Sequence, residues 1–144
     1  GAAAAITAPE LRGAKSMQDL SSDMHGRNLQ QKEFLKMDLE GTDFSDSDLR
    51  GTVFNTTQLQ DSNFSGADLR DVVAFSSRFD RADLSQARLD NGMLLQSKFT
   101  DATIDGADFT NAVLDLPQIK QLCARATGVN ERSGLSTADS LGCG

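Results

Sequence analysis

A five-residue hydrophobic period runs through most of this chain. From Leu29 onward every fifth residue is Leu, Phe or Ile, with Ala74 as the exception, and a mostly small residue lies two positions before each of them. Neither the α-helix, with 3.6 residues per turn, nor the β-strand, with a repeat of two, holds such residues on one face. Every five-residue unit must therefore end in a turn. The large residues are Leu29, Phe34, Leu39, Phe44, Leu49, Phe54, Leu59, Phe64, Leu69, Phe79, Leu84, Leu89, Leu94, Phe99, Ile104, Phe109 and Leu114.

Turn-forming residues recur at the same spacing. Two positions after the large residue, Gly, Asp and Asn are frequent, and these residues favour turns. If each unit forms one side of a square, four units complete a coil, and residues 20 apart in the sequence stack on one another. The large and small residues would then fill a narrow interior. The turn formers are Gly41, Asp46, Gly51, Asp61, Gly66, Asp71, Asn91, Asp101, Gly106 and Asn111.

Three units match a known repeat signature, A(D/N)LXX: Ala67 to Asp71, Ala82 to Gln86 and Ala107 to Asn111. Over about 90 residues the chain resembles the pentapeptide-repeat family. This resemblance implies an all-β solenoid, a right-handed quadrilateral β-helix of about 4.5 coils, with short α-helical caps at the N- and C-termini. Since members of one fold differ in function, the resemblance implies little about activity.

The chain divides into three expected regions. Residues 1–26 are predicted to form an N-terminal segment with a helical cap, 27–115 the pentapeptide-repeat β-helix, and 116–144 a C-terminal helical cap with a disulfide. In the tail, Pro117 suits a first helical turn, and Ser136 has capping-box spacing to Asp139. Near the N-terminus, Met24 lies in the five-residue register as well, which leaves that boundary open.

The two cysteines, Cys123 and Cys143, both lie in the tail. A disulfide between them would close a loop of about 20 residues, contribute roughly 3 kcal/mol and imply an oxidising compartment. The alternative is a pair of reduced thiols. We expect no zinc site, because two cysteines and the one histidine, His25, do not supply four ligands. No metal and no cofactor is predicted.

The charge limits the possible partners. The formal net charge of −7 argues against binding nucleic acid through its phosphates and favours solubility or a basic partner. No apolar run of about 18 residues occurs, so we expect no membrane insertion. Helical caps at both ends leave little room for an end-to-end dimer, and a monomer is therefore expected.

One side of the predicted square differs from the other three, which are polar. Its outward positions carry apolar residues, and a contiguous apolar patch of this kind usually marks a contact surface. Two interpretations stay open: coverage by the N-terminal segment, or an unknown protein partner. Ala74 lies on the same side and under-fills the interior, so a local irregularity is predicted at 72–76. The candidate partner face comprises Val53, Val73, Phe75, Met93, Leu95 and Val113.

Nothing in the sequence supports an enzyme, since no nucleophile and base can be assembled around His25. The start, Gly1 to Ala5, resembles the remnant of a processing site. Together with the cysteine-containing tail, it makes the chain similar to plant pentapeptide-repeat proteins of the thylakoid lumen, of about 15 kDa. We therefore expect a non-catalytic protein-interaction or scaffold module of the chloroplast thylakoid lumen. A secreted or periplasmic bacterial protein is the alternative location.

Two alternative functions remain. One is a DNA mimic that modulates topoisomerases, which the resemblance in fold to quinolone-protection proteins suggests. Residues 27–115 hold 16 acidic and 9 basic side chains, but bases interrupt the acids, whereas a duplex mimic requires long acidic tracks. The other is a redox-switched lumenal regulator that acts through the Cys123 and Cys143 pair.

Overall fold

The repeats wind into a solenoid in which residues 20 apart in the sequence pair side by side. In the computed structural model, which describes residues 22–144, parallel β-bridges run from Asp23↔Asp43 to Met93↔Val113. Each five-residue side contributes one bridge residue and then turns a corner, so the described part of the chain has isolated bridges in place of longer strands. Four sides complete one coil, as the period predicts.

The corner residues all adopt a left-handed backbone conformation, from Gly26 with φ 66° to Asn111 with φ 58°. Gly, Asn and Asp tolerate this conformation best, which explains their enrichment at this position. Gly66 is constrained further, because a Cβ atom there would lie 2.2 Å from Oδ1 of Asp46 in the adjacent coil. The turn chemistry read from the sequence is thus the chemistry that the corners require.

The interior is a stack of fully buried large residues. Phe34 stacks on Phe54 with ring centroids 5.2 Å apart, and Phe44 stacks on Phe64 at 5.0 Å. The two columns meet edge to face, as in the pair Phe44 and Phe54 at 5.6 Å. Such aromatic pairs contribute about 0.5–1.5 kcal/mol each beyond the area that they bury. The core therefore runs continuously along the solenoid axis.

The prediction of an irregular coil at 72–76 is wrong for the register, which is intact. It is right only for the corner after Ala74, where the Ser77 N–H donates to the Ser97 hydroxyl oxygen at 3.0 Å in place of the usual turn bond. Val73 pairs in register with Val53 on one side and Met93 on the other, and the Ala74 N–H donates to the Met93 carbonyl at 2.8 Å. Phe75 stays outside, half-buried, and does not swing inward to fill the space. The backbone hydrogen bonds between coils keep the register whatever the size of the inward side chain, and this explains why the pairing is undisturbed.

Hydroxyl groups replace the usual turn bond at the corners that follow Phe34, Phe54 and Ala74. The Thr57 hydroxyl donates to the Phe34 carbonyl at 2.7 Å, and the Ser77 hydroxyl donates to the Phe54 carbonyl in the same way. The Ser77 hydroxyl also accepts from the Thr57 N–H at 3.0 Å. A small polar residue two positions before the core residue therefore satisfies backbone groups inside the solenoid, where water cannot reach them.

The solenoid begins before residue 27, the boundary predicted from the sequence. Asp23 already pairs with Asp43, and Met24 is fully buried in the core. Met24 therefore belongs to the repeats, as its five-residue register allows, and not to a preceding helix. The rest of the predicted N-terminal cap, residues 1–21, lies outside the described residues.

Two short helices follow the repeats, as predicted. Helix α1 spans Leu116–Cys123, with Asp115 as N-cap, and helix α2 spans Thr137–Leu141, with Ser136 as N-cap. The tail contains the predicted disulfide between Cys123 and Cys143, with an S–S distance of 2.07 Å. The disulfide thus joins Cys123, the last residue of α1, to Cys143, which lies two residues after the end of α2.

Polar side chains of the tail satisfy the backbone of the last coil, which has no further coil to pair with. The Gln118 amide donates to the carbonyls of Leu94 at 2.7 Å and Ser97 at 2.8 Å. The Arg125 guanidinium donates to the Ala102 carbonyl at 3.0 Å, and also to the Phe99 carbonyl. These bonds close an edge that would otherwise expose unpaired backbone groups.

Two more contacts complete this end of the solenoid. The Asn130 amide donates to the Gly106 carbonyl at 2.9 Å, and the Ser140 hydroxyl oxygen accepts from the Phe109 N–H at 2.9 Å. Leu122 of α1 is fully buried against the core. The tail is therefore a cap in which apolar residues cover the core and polar residues replace the missing neighbouring strands.

We predict that Gln118→Ala destabilises the protein by about 1–3 kcal/mol. It removes the side-chain donor to the buried Ser97 carbonyl, one of two donors to the Leu94 carbonyl, and the capping bond to the Asp115 N–H. Gln121→Ala is the matched control, since Gln121 lies on the same helix with its side chain exposed. Urea unfolding followed by circular dichroism measures both. Equal unfolding free energies for the two variants would show that the Gln118 contacts do not stabilise the cap.

Candidate functional site

The six residues predicted as a partner face lie together on one side of the solenoid, and we call them the apolar strip: Val53, Val73, Phe75, Met93, Leu95 and Val113. Parallel bridges place Val53, Val73, Met93 and Val113 in one column along the axis. Phe75 and Leu95 form a second column, two residues further along each coil. The backbone ladder thus positions the apolar side chains at a fixed spacing.

Among residues 22–144, no segment covers the strip completely; coverage by the N-terminal segment, the other interpretation, concerns residues outside this range. Met93 and Val113 have 36% and 39% of their surface exposed, and the other four residues are half-buried. Leu116, at the start of α1, is 81% exposed and extends the apolar surface at the C-terminal end of the strip. Leu116 was not predicted from the sequence; it begins α1, three residues after Val113.

The corners on both sides of the strip carry mostly uncharged side chains. Asp71 is the one charged corner residue along the strip's length, Asp115 ends the second column, and Glu33 and Lys36 lie beyond the strip's N-terminal end. Asn55 interrupts the second column, where its side-chain oxygen accepts from the Phe75 N–H at 3.0 Å. The strip is therefore an apolar surface with a neutral polar border. The uncharged corner residues are Gly51, Thr56, Ser76, Asn91, Gln96 and Asn111.

A different side of the solenoid carries ion pairs. Arg50 contacts Asp48 at 2.8 Å, and Arg70 contacts Asp68 at 2.6 Å. Arg50 also lies 3.8 Å from Asp68 in the next coil, so acids and bases alternate along the axis. These arginines neutralise the acids locally, and the negative charge does not form a continuous track.

The ion pairs lower the pKa values of their carboxyl groups. The hydrogen bond from Arg50 lowers the pKa of Asp48 below its ordinary value, and the hydrogen bond from Arg78 does the same for Asp80. Burial acts to raise the pKa of Asp68, but hydrogen bonds from Arg70 outweigh it, and the net pKa is lowered. All three carboxylates remain ionised in mildly acidic solution.

His25 has neighbours that were not predicted from the sequence. Its Nδ1 lies 2.8 Å from the Ser45 hydroxyl oxygen, and that hydroxyl donates to Asp43 at 2.6 Å. Because the serine proton points to the carboxylate, the imidazole must donate to the serine oxygen. In a nucleophile-activating triad the histidine instead accepts the serine proton and lies between serine and acid. The order found here orients side chains and does not activate Ser45.

Residues 22–144 contain neither a metal-binding cluster nor a helix able to span a membrane. Within this range, no three or more His, Cys, Asp or Glu side chains converge to form a metal-binding group. Over the same residues, neither helix has the length and apolar character that crossing a bilayer requires.

We predict that the melting temperature stays nearly constant from neutral pH to about pH 5 and falls below about pH 4. The folded pKa values of Asp48, Asp68 and Asp80 lie below the ordinary value of 3.8, so their contribution is present above that value and is lost as these groups protonate. Thermal melts across this range measure it. A large loss of stability between pH 7 and 5 would contradict the assignment to these carboxylates.

Comparison with known proteins gives the family. The pentapeptide-repeats family model matches in 8 copies, over residues 22–73 and 77–115, which is more than half of the chain. The match is interrupted at 74–76, where Ala74 takes the place of the usual Leu or Phe. No curated protein sequence matches significantly.

Solved structures of pentapeptide repeat proteins are similar to this chain. One from the Arabidopsis thaliana thylakoid lumen is 30% identical, covers 92% of this chain and 97% of its own, and has a TM-score of 0.47. HetL, involved in heterocyst differentiation regulation in the cyanobacterium Nostoc, is 22% identical, with 74% of this chain and 46% of HetL covered and a TM-score of 0.53. By its repeats, the chain belongs to the pentapeptide-repeat family.

Proposed function

We propose that this protein is a non-catalytic interaction module whose contact surface is the apolar strip. The observation that carries the proposal is a contiguous column of exposed and half-buried apolar side chains on a solenoid whose other described sides are polar. Surfaces of this kind on water-soluble domains usually bind another protein. The partner's identity is the open part of the proposal.

The rest of the solenoid is suited to a scaffold. Its core is continuous, its coils are paired through the backbone, and its C-terminal end is closed by the cap. A partner therefore meets a surface that is already ordered, and binding costs little conformational entropy on this side of the interface. Pentapeptide-repeat proteins generally serve as non-catalytic structural or interaction modules, which agrees with the proposal.

We place the module in the thylakoid lumen and give its solenoid the right-handed winding expected from the family. The support for the location is the similarity to the lumenal Arabidopsis protein, at 30% identity over nearly the whole length of both chains. A disulfide between Cys123 and Cys143 agrees with an oxidising compartment. A secreted or periplasmic bacterial location would agree with the disulfide as well.

We predict that proteins retained from chloroplast lumen extract by the immobilised protein are lost when Val73 and Met93 are both changed to Glu. Two charges on the strip would have to be buried against an apolar partner, and this is costly. Quantitative mass spectrometry of the retained proteins measures the loss. The control is Thr100→Glu with Thr103→Glu, which adds the same charge at exposed positions away from the strip.

The retained proteins show whether the strip is the contact surface. If the control retains the same proteins as the wild type and the strip variant does not, the strip is the contact surface. If all three proteins retain the same set, or retain nothing, the strip is not a partner site and the proposed function is wrong. Equal melting temperatures of the three proteins are required for either conclusion.

A second candidate is redox regulation through the disulfide. Cys123 and Cys143 enclose the stretch that contains Arg125, Asn130 and Ser140, whose side chains bond to the last coil. Both cysteines are half-buried and not sealed in the core. A dithiol reductant that opened this bond would therefore weaken the cap without touching the repeats.

We predict that Cys143→Ser destabilises the cap by roughly 3 kcal/mol, because the disulfide closes a loop with a sequence separation of 20 residues. Hydrogen exchange of the Phe109 and Asn130 amides, compared with amides in the middle of the solenoid, measures the local effect. Unchanged protection near the cap, either in this variant or in the reduced wild type, would remove the basis for a redox switch.

We do not adopt the DNA-mimic alternative. Arg50, Arg70, Arg78 and Arg88 each contact an acid two residues away in the sequence, so these acids are not free to imitate a run of phosphates. The negative excess of the chain is better explained by solubility.

A further inference from the structure

We propose that the apolar strip binds an amphipathic α-helix of a partner protein, lying parallel to the solenoid axis, whose apolar stripe is bordered by uncharged polar residues. This inference rests on the proposed function and adds the class of partner. Three features of the strip carry it: its axial spacing, its size and its uncharged border.

The axial spacing of the strip matches the pitch of a helix. Parallel bridges set Val53, Val73, Met93 and Val113 one coil apart, which is about 4.8 Å for each step. An α-helix advances 5.4 Å per turn and presents one or two apolar side chains per turn along one stripe. Over three steps the mismatch is only about 2 Å, which rotamers can absorb.

An extended strand fits the spacing less well. Side chains on one face of a strand recur about every 6.7 Å, so over the same three steps the mismatch grows to about 6 Å. A strand could instead pair with backbone groups at an edge. The strip, however, lies on a side of the solenoid where neighbouring coils already pair, as Val73 does with Val53 and Met93. A helix is therefore the element that this surface accommodates.

The size of the strip favours a single helix over a globular partner. Three steps span about 14 Å, and one side of the solenoid is about 10 Å wide, which gives an area on the order of 200 Å². A stable interface between two globular proteins, including two copies of this chain, buries about 800 Å² on each partner. A helix of about 10–12 residues covers the strip from Val53 to Leu116, because it is about 10 Å in diameter.

The border defines the chemistry of the partner's flanking residues. Thr56, Ser76, Asn91 and Gln96 offer hydroxyl and amide groups. Along this length Asp71 is the one charged corner residue, and Asp115 at the C-terminal end accepts from the Gln118 N–H. Neutral polar residues beside the partner's apolar stripe can hydrogen-bond to these groups, whereas charged residues would lose hydration without gaining an ion pair. Binding should therefore depend little on ionic strength.

The test uses the intact chain and a fluorescein-labelled model peptide of about 11 residues, stapled so that it is helical when free. Its leucines lie at helical spacing along one stripe, and its remaining residues are glutamine. We expect saturable binding in fluorescence anisotropy, weakened about tenfold or more by Met93→Glu and unchanged by Thr103→Glu. Met93 and Thr103 occupy equivalent outward positions on opposite sides of the solenoid.

Two control peptides and a salt series sharpen the result. A peptide with the same residues, reordered so that the leucines surround the helix, should bind at least about tenfold more weakly. Replacing glutamine by lysine should not strengthen binding, and raising the salt from about 0.05 M to 0.5 M should change affinity less than about twofold. Equal binding of the reordered peptide, or a strong salt dependence, would overturn the inference.

The orientation can be tested with a photo-crosslinking group at either end of the peptide. A helix parallel to the axis places one end near Val53 and the other near Leu116, in either direction. Crosslinks at Arg78 or Asp90, on the neighbouring sides, would instead show a helix lying across the solenoid and would contradict the inference.

Failure of this inference differs from failure of the proposed function. If the peptide does not bind while the strip variant still loses lumenal proteins, the strip remains a contact surface and only the helical partner is rejected. If sedimentation shows a wild-type dimer that Met93→Glu abolishes, the occupant is a second copy of the chain. If the strip variants change neither measurement, both proposals are wrong.

Discussion

The backbone hydrogen bonds between residues 20 apart in the sequence determine the rest of this structure. Each coil donates and accepts along the whole axis, for example where Phe54 N–H donates to the Val73 carbonyl at 2.7 Å and Val73 N–H donates to the Thr52 carbonyl at 2.9 Å. This ladder holds the core residues in columns and fixes the outward side chains at the same spacing. Even Ala74, with no large side chain to fill the interior, stays in register.

A ladder of this kind has to end, and the ends pose the main physical problem of a short solenoid. At the C-terminal end the last coil lacks partners for its carbonyl groups, and an open edge invites association with other chains. The chain solves this with the side chains of Gln118, Arg125 and Asn130, which donate where a further coil would have done so. The disulfide then holds this set of residues in place.

Much of the architecture follows from the sequence, because a solenoid repeats the same local structure, a five-residue side and a turn, many times. The five-residue period predicted the core columns, the turns at the corners and the membership of all six strip residues on one side. The cap helices were predictable from Pro117 and Ser136, which act locally. The contact of His25 with Ser45 could also have been found, since the two residues are 20 apart and share a register.

The contacts that close the solenoid could not be predicted in this way. Gln118 and Arg125 bond to carbonyls more than 20 residues earlier in the chain, and these carbonyls are identified only once the position of the helix is known. Polar side chains that bond to a distant backbone leave no periodic signal. The prediction at Ala74 failed for the register for a related reason, because it considered only how side-chain volume fills the core and left out the backbone ladder.

The apolar strip is best understood against the same ladder. Val73 and Met93 lie outside the core, so their exposed surface stabilises the fold less than an inward position would, and an apolar surface lowers solubility. The corresponding outward positions on the other sides, such as Asp83 and Arg88, are polar. Because the coils hold the strip at a constant spacing before any partner arrives, an occupant with a similar repeat can bind without reorganising the solenoid. The match between the axial spacing of the strip and the repeat of the partner's apolar side chains, more than the buried area, would then determine which partner binds.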